Sequence, residues 1–146
     1  VQREVTINGR YSGPPQSANG GYAAGVVAEG VEGVSTVTLR IPPPLDTPMI
    51  LHGDGAESSL THGELLVGEG ISSDLDLAVP DPPTLEEAVA ASQQYVFLDG
   101  DHVFPKCFVC GTDRENDGLH IYPGPVDGSD VVAAPWTPDT TLGSDG

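Results

Sequence analysis

The sequence predicts an α+β protein in which an antiparallel sheet curls over one buried helix. Three observations predict it. Gly and Pro number 19 and 14 among 146 residues, too many for a helical bundle, because both are poor in helix interiors. Val34 to Ile41 alternates apolar and polar side chains with the period of a half-buried strand. The segment Gln16 to Gly30 is made largely of small residues with few charges. Such a helix is weak alone, since each interior Gly costs about 1 kcal/mol against Ala. It needs close backbone approach to something wrapped around it.

The elements follow in order. Val5 to Tyr11 reads as a first strand, ended by Ser12-Gly13-Pro14-Pro15, a strong breaker. Ser17 or Asn19 can cap the small-residue helix. After Val34 to Ile41, the block Pro42-Pro43-Pro44 places that strand's end at a sheet edge or bend. Thr47 to His52 and Ser58 to Thr61 are shorter strands around the turn Gly53-Asp54-Gly55. His62-Gly63 turns again into Glu64 to Ile71. Beyond the break Pro80-Asp81-Pro82-Pro83, Thr84 and Glu87 form a capping box for a helix from Leu85 to Tyr95. Its expected apolar face is Leu85, Ala88, Val89 and Ser92. Leu119 to Pro123 and Val131 to Trp136 read as late strands, and the tail from Thr137 to Gly146 lacks apolar residues to pack. This gives a first unit at 1–80, a connector with a helix at 81–103, and the start of a second unit at 104–146.

Charge narrows the partners. Lys and Arg number 5 against 22 Asp and Glu, a formal charge of −17. Nucleic acid is disfavoured, because phosphate binding relies on Lys and Arg. Anionic lipid surfaces are disfavoured for the same reason. No apolar run approaches the roughly 18 to 20 residues of a membrane span. Val1-Gln2-Arg3-Glu4 lacks a signal-peptide pattern, so a reducing cytoplasm is the expected compartment.

Three places offer chemistry. Asn19-Gly20-Gly21 opens the weak helix, where unpaired N–H groups and the helix dipole favour negative charge. Glycines let a ligand come close, so a polarised thioester carbonyl fits there as an oxyanion. A glycine-rich turn that only lets the helix pack is the plain alternative. Cys107-Phe108-Val109-Cys110 is a C-x-x-C. Zinc with His102 or His120, a redox pair and two packed thiols all remain open. The absence of a second C-x-x-C, and the apolar Phe108 and Val109, favour packing. His52, His62, Asp54 and Glu57 cluster around turns and read as solvated residues. No G-x-S-x-G, P-loop, dinucleotide fingerprint or H-E-x-x-H is present, and Asp74-Leu75-Asp76 lacks the rest of a calcium loop. No cofactor is expected.

The stretch Tyr11 to Tyr22, YSGPPQSANGGY, resembles the helix approach of the hotdog-fold acyl-CoA thioesterase superfamily, in which His-Gly-Gly or Asn-Gly-Gly precedes the helix. Arg40 to Pro48, RIPPPLDTP, resembles the strand junction that follows in that group. Cys107-Phe108-Val109-Cys110-Gly111 through Asp117-Gly118-Leu119-His120 is similar to the opening of a second such domain, as in phenylacetate-pathway-type thioesterases. The resemblance implies a tandem hotdog, its first unit complete and its second only begun.

It also implies function. The expected activity is hydrolysis of an acyl-CoA-type thioester, with Asn19, Gly20 and Gly21 as the catalytic group and Ser17, Tyr22 and Arg40 binding substrate. No metal is implied, and Cys107 to Gly111 becomes a structural opening strand. Family enzymes carry an Asp or Glu about nine residues after the first motif position, which here is Ala28. Glu29 is one residue late, rotated about 100° around the helix. The acid is therefore expected from a second half or a partner chain, through a homodimer or paired tandem units. A non-catalytic acyl-binding or assembly module is the alternative.

Overall fold

The computed structural model describes residues 1–138 and 140–143. The chain divides into two compact units, Val1–Leu77 and Ala78–Gly146. The first contains β1 (Gln2–Thr6), α1 (Gly20–Ala28), β2 (Ser35–Leu39), β3 (Pro48–Gly53), β4 (Glu57–His62) and β5 (Leu65–Ser72). Its five strands form one antiparallel sheet in the order β1-β3-β4-β5-β2. Strand periodicity sorts the side chains. Met49, Leu51, Leu60 and Val67 point to one face and are buried with Ile7, Ala18, Ala23 and Val27. His52, Ser59 and Glu69 are cross-strand neighbours on the other face. The proline block follows β2, which is an edge strand.

Two expectations for this unit are corrected. The first strand is Gln2–Thr6, not Val5 to Tyr11. Asn8 Oδ1 accepts from Arg10 N–H at 2.8 Å, and Asp46 accepts from Gly9 N–H at 2.8 Å, so residues 9–11 form a 3-10 turn. Side-chain acceptors outcompete strand pairing there. The helix is also not buried all round. Ala23 and Val27 are buried, while Gly20, Gly21, Tyr22 and Gly25 are exposed. The sheet of this chain covers one side of α1 only.

The end of α1 docks almost backbone to backbone on the β3–β4 hairpin. A Cβ on Gly53 would lie 2.4 Å from the Gly30 Cα, and one on Gly30 would lie 2.6 Å from the Ser58 Cβ. The buried Ser58 hydroxyl donates to the Val27 carbonyl at 2.7 Å. Glu32 N–H donates to Gly55 O at 2.7 Å, and Gly55 N–H to Gly30 O at 3.1 Å. The hairpin turn is fixed by Asp54, whose carboxylate accepts from Glu57 N–H at 2.8 Å and Ala56 N–H at 2.9 Å. These bonds, from Glu57 first and then Ala56, hold its pKa below the ordinary carboxylate value.

In the second unit α2 spans Leu85–Ser92, with the expected capping box between Thr84 and Glu87. Its buried residues are Ala88 and Ala91, whereas Leu85 is 72% exposed and Val89 is also exposed. The expected face was therefore rotated. The small ribbon of β6 (Gly124–Pro125) and β7 (Val132–Ala133) packs on α2, and only small side chains fit there. The late strands shrink accordingly. Leu119 to Pro123 is not a strand, although Leu119 N–H donates to Phe108 O at 2.8 Å and Ile121 N–H to Val109 O at 2.9 Å. Val131 to Trp136 contributes only Val132–Ala133. Cys107 to Gly111 is a turn rather than an opening strand, because Gly111 N–H closes onto Cys107 O at 2.8 Å. In the tail, Thr140–Gly143 form a 3-10 turn; the expectation of an unpacked end falls, at Asp139 and residues 144–146, outside the described residues.

Gly53→Ala places a methyl into the backbone of Gly30 and is expected to cost about 3 kcal/mol in urea unfolding. Gly25→Ala, in the helix with nothing within 4 Å of the new Cβ, is expected to stabilise by about 0.5 to 1 kcal/mol. NMR titration is expected to find Asp54 protonating below a model-peptide Asp at about 3.9. Its contribution to stability is present above that unfolded value and is lost as pH falls through the folded one. Asp54→Asn should therefore flatten the acid limb of a pH–stability curve.

Candidate functional site

The loop before α1 is built to present the helix start. Gly13 N–H donates to Ser17 O at 2.9 Å and Ser17 N–H to Pro14 O at 3.1 Å, closing a tight loop. Asn19 N–H reaches back to Tyr11 O at 2.7 Å. Asn19 then caps the helix, its Oδ1 accepting from Tyr22 N–H at 3.1 Å and its carbonyl from Ala23 N–H at 3.0 Å. A helix start leaves four N–H groups without intrahelical partners. Here those of Asn19 and Tyr22 are satisfied, and those of Gly20 and Gly21 are not, among the described residues. Both glycines are exposed. An added Cβ at Gly20 would meet only Leu39, at 3.8 Å. An added Cβ at Gly21 would meet Asn19 Oδ1 at 3.3 Å, and both donors lie at the positive end of the helix dipole.

An aromatic pair stands beside these donors. Tyr22, 38% exposed, stacks on Tyr11 with ring centroids 3.9 Å apart and planes 13° from parallel. The Arg10 guanidinium lies 5.7 Å from the Tyr11 centroid on the cation–π distance scale. Sequence reasoning gave Tyr22 a role and missed Tyr11. The available signal was a tyrosine at each end of the loop, brought together by the Asn19–Tyr11 backbone bond.

Other expected residues are placed elsewhere. Ser17 is buried, with its hydroxyl donating to Ala18 O at 3.3 Å. Arg40 pairs with Glu69, its Nε at 2.9 Å from Glu69 Oε1. Glu69 is on the face of the sheet away from the core, so the structure does not bring Arg40 to the helix start. Glu29 follows the last residue of α1 and pairs with Arg3. Nine residues of helix, about 13 Å, separate it from Gly20. No carboxylate of α1 reaches the free N–H groups.

Of the histidine and acid cluster, His52, Asp54 and Glu57 line an open groove of about 580 Å³ with Val1, Gln2 and Glu69, and His62, at the end of β4, does not line it. Asp54 is committed to the hairpin backbone, and no hydrogen bond joins His52 to Asp54 or Glu57 among the described residues. Nor do three or more His, Cys, Asp or Glu side chains come together as a metal site among the described residues. No described helix is long and apolar enough to cross a membrane.

No family model and no curated protein matches the chain. One solved crystal structure, of a protein described as a thioesterase superfamily protein, is similar at 20% identity with a TM-score of 0.38. The similarity covers 47% of this chain and 47% of that one, so the chain spans about half the length of the protein it matches.

Proposed function

We propose that the first unit is a hotdog-type module that binds an acyl-CoA-type thioester and supports its hydrolysis. The observation that carries this reading is the pair of unsatisfied, exposed N–H groups at Gly20 and Gly21. The thioester carbonyl oxygen accepts from them, and the bond strengthens as that oxygen gains charge in the tetrahedral intermediate. The Tyr11–Tyr22 stack offers an apolar wall beside the reacting carbon. Asn19 holds the helix start in place as its cap. Water needs a general base, which α1 does not supply. The carboxylate comes from a second copy or a second tandem half set beside the exposed side of α1.

Asn19 has φ −58° and ψ 131°, the extended geometry that suits a residue before proline. Gly20 is the first helical residue, where proline is well tolerated. Gly20→Pro therefore removes one donor and leaves the helix intact, while Gly20→Ala keeps the donor. Hydrolysis of short, long and aromatic acyl-CoAs would be followed with a thiol-trapping dye. Gly20→Pro is expected to lower kcat/KM about 100-fold, and Gly20→Ala to stay within a few-fold of the parent.

The second reading is an acyl-binding module without catalysis, favoured by Ala28 standing where the family acid would be. A non-hydrolysable acyl-CoA thioether separates the two. Binding weakened by Gly20→Pro, with no turnover by the folded parent, selects the binding module. Parent-like turnover in Gly20→Pro overturns the helix site altogether.

A further inference from the structure

The second unit holds a cluster that the helix site does not use. Neither Cys107, which is buried, nor Cys110, which is half-buried, is in a disulfide, and their sulfurs are 3.5 Å apart. A backbone turn fixes them, with Cys107 N–H donating to Phe104 O at 2.9 Å and Gly111 N–H to Cys107 O at 2.8 Å.

Behind the pair runs a hydrogen-bond chain whose direction one backbone group decides. Phe104 N–H donates to His102 Nδ1 at 2.8 Å. Nδ1 is thus the accepting nitrogen, and the neutral imidazole carries its proton on Nε2. Nε2–H donates to the Tyr95 hydroxyl oxygen 2.9 Å away. The Tyr95 hydroxyl is left to donate onward. The Cys110 thiol donates to the Cys107 sulfur. His102 is buried, and Tyr95 packs against Phe97 and Tyr122 at centroid distances of 5.5 and 5.4 Å. Neither histidine near the pair is placed as a third ligand. His102 is committed at both nitrogens, and His120 Nδ1 bonds the Tyr122 hydroxyl at 3.0 Å.

We propose that Cys107 and Cys110 form a reversible dithiol–disulfide pair. The oxidant is a low-molecular-weight disulfide such as oxidised glutathione. The Cys110 thiolate, the more exposed sulfur, attacks one sulfur of that disulfide. The oxidant's S–S bond breaks, one half leaves as a thiolate and a mixed disulfide remains. The Cys107 thiolate then attacks the Cys110 sulfur and expels the second half. Two electrons pass from the cysteines to the oxidant, and the two thiol protons end on the released thiolates. Burial, and then the neighbouring Cys107 sulfur, push the Cys110 thiol up in pKa, which slows its attack. The closed C-x-x-C ring is short. A short ring removes little entropy from the unfolded chain, which keeps the bond reducible.

The reduced full-length chain would be equilibrated in buffers of graded oxidised-to-reduced glutathione ratio, quenched by alkylation and weighed. The expected result is one transition to a monomer that has lost two hydrogens, accepts no alkylation and carries no glutathione. Cys107→Ser is expected to stop at a mixed disulfide on Cys110. Circular dichroism confirms that the variant is folded. A parent chain that stays at the mixed disulfide, links to a second chain or keeps both thiols under excess oxidant overturns the proposal.

Discussion

The first unit depends on one close contact, the passage of Gly30 over Gly53 at the end of α1. Without side chains at those two positions, helix and hairpin approach until Ser58 reaches the Val27 carbonyl at 2.7 Å. That distance sets where the helix axis lies over the sheet. It lets Val27 and Ala23 fill the core with Leu51, Leu60 and Met49, and it allows Gly70, where a Cβ would sit 2.6 Å from Ser58 Oγ. A helix of small residues has little propensity to form alone. Its stability comes from this docking, so the same glycines that weaken it locally are those that hold it globally.

Fixing the far end of α1 also fixes its start. The helix is nine residues long and is anchored at Ala28 to Gly30 by the hairpin and at Asn19 by the Tyr11 carbonyl. Between these anchors it has little freedom to rotate, and Gly20 and Gly21 are presented at a set position. Preorganised donors are worth more than mobile ones, because they do not reorient as charge develops. The net charge of −17 works the other way for a polyanionic thiol carrier. Arg10, held over Tyr11, is a cation close to the helix start. A neutral carbonyl needs only the two N–H groups, whereas the carrier's phosphates need positive charge supplied from beyond this face.

Much of the first unit was legible because its signals are local. Period-two alternation placed β2, and the turn signals Gly53-Asp54-Gly55 and His62-Gly63 placed β3 to β5, all within one or two residues; in the second unit, Thr84 with Glu87 marked the start of α2. The motif at Asn19-Gly20-Gly21 was legible because a cap residue before two glycines is itself a statement about free N–H groups. What stayed hidden depends on contacts far apart in sequence. Asp46 takes Gly9 N–H across 37 residues, and that bond turns the end of the expected first strand into a 3-10 turn. The pairing of Arg40 with Glu69, on β5, joins residues 29 apart. In α2 the apolar spacing pointed to Leu85 and Val89, but Gly124 approaches Ala91 so closely that only alanines fit the packed side.

The exposed side of α1 is the part of the unit that its own sheet leaves unfinished. Tyr22, Gly25 and the two donor glycines share solvent there, and the helix's own Glu29 is turned to Arg3 at the opposite end. On the proposed reading, a lone unit offers two donors to a carbonyl, while α1 itself carries no base to deliver water to it. Among the described residues, β1 and β2 are the edge strands of the sheet, and a sheet edge is a ready place for another strand to add. Adding a second unit at such an edge would extend the sheet and bring a foreign surface toward α1. The missing base and the uncovered helix side then become one requirement, met by one neighbour. Chemistry at Gly20 and Gly21, on this reading, is a property of the pair and not of the single unit.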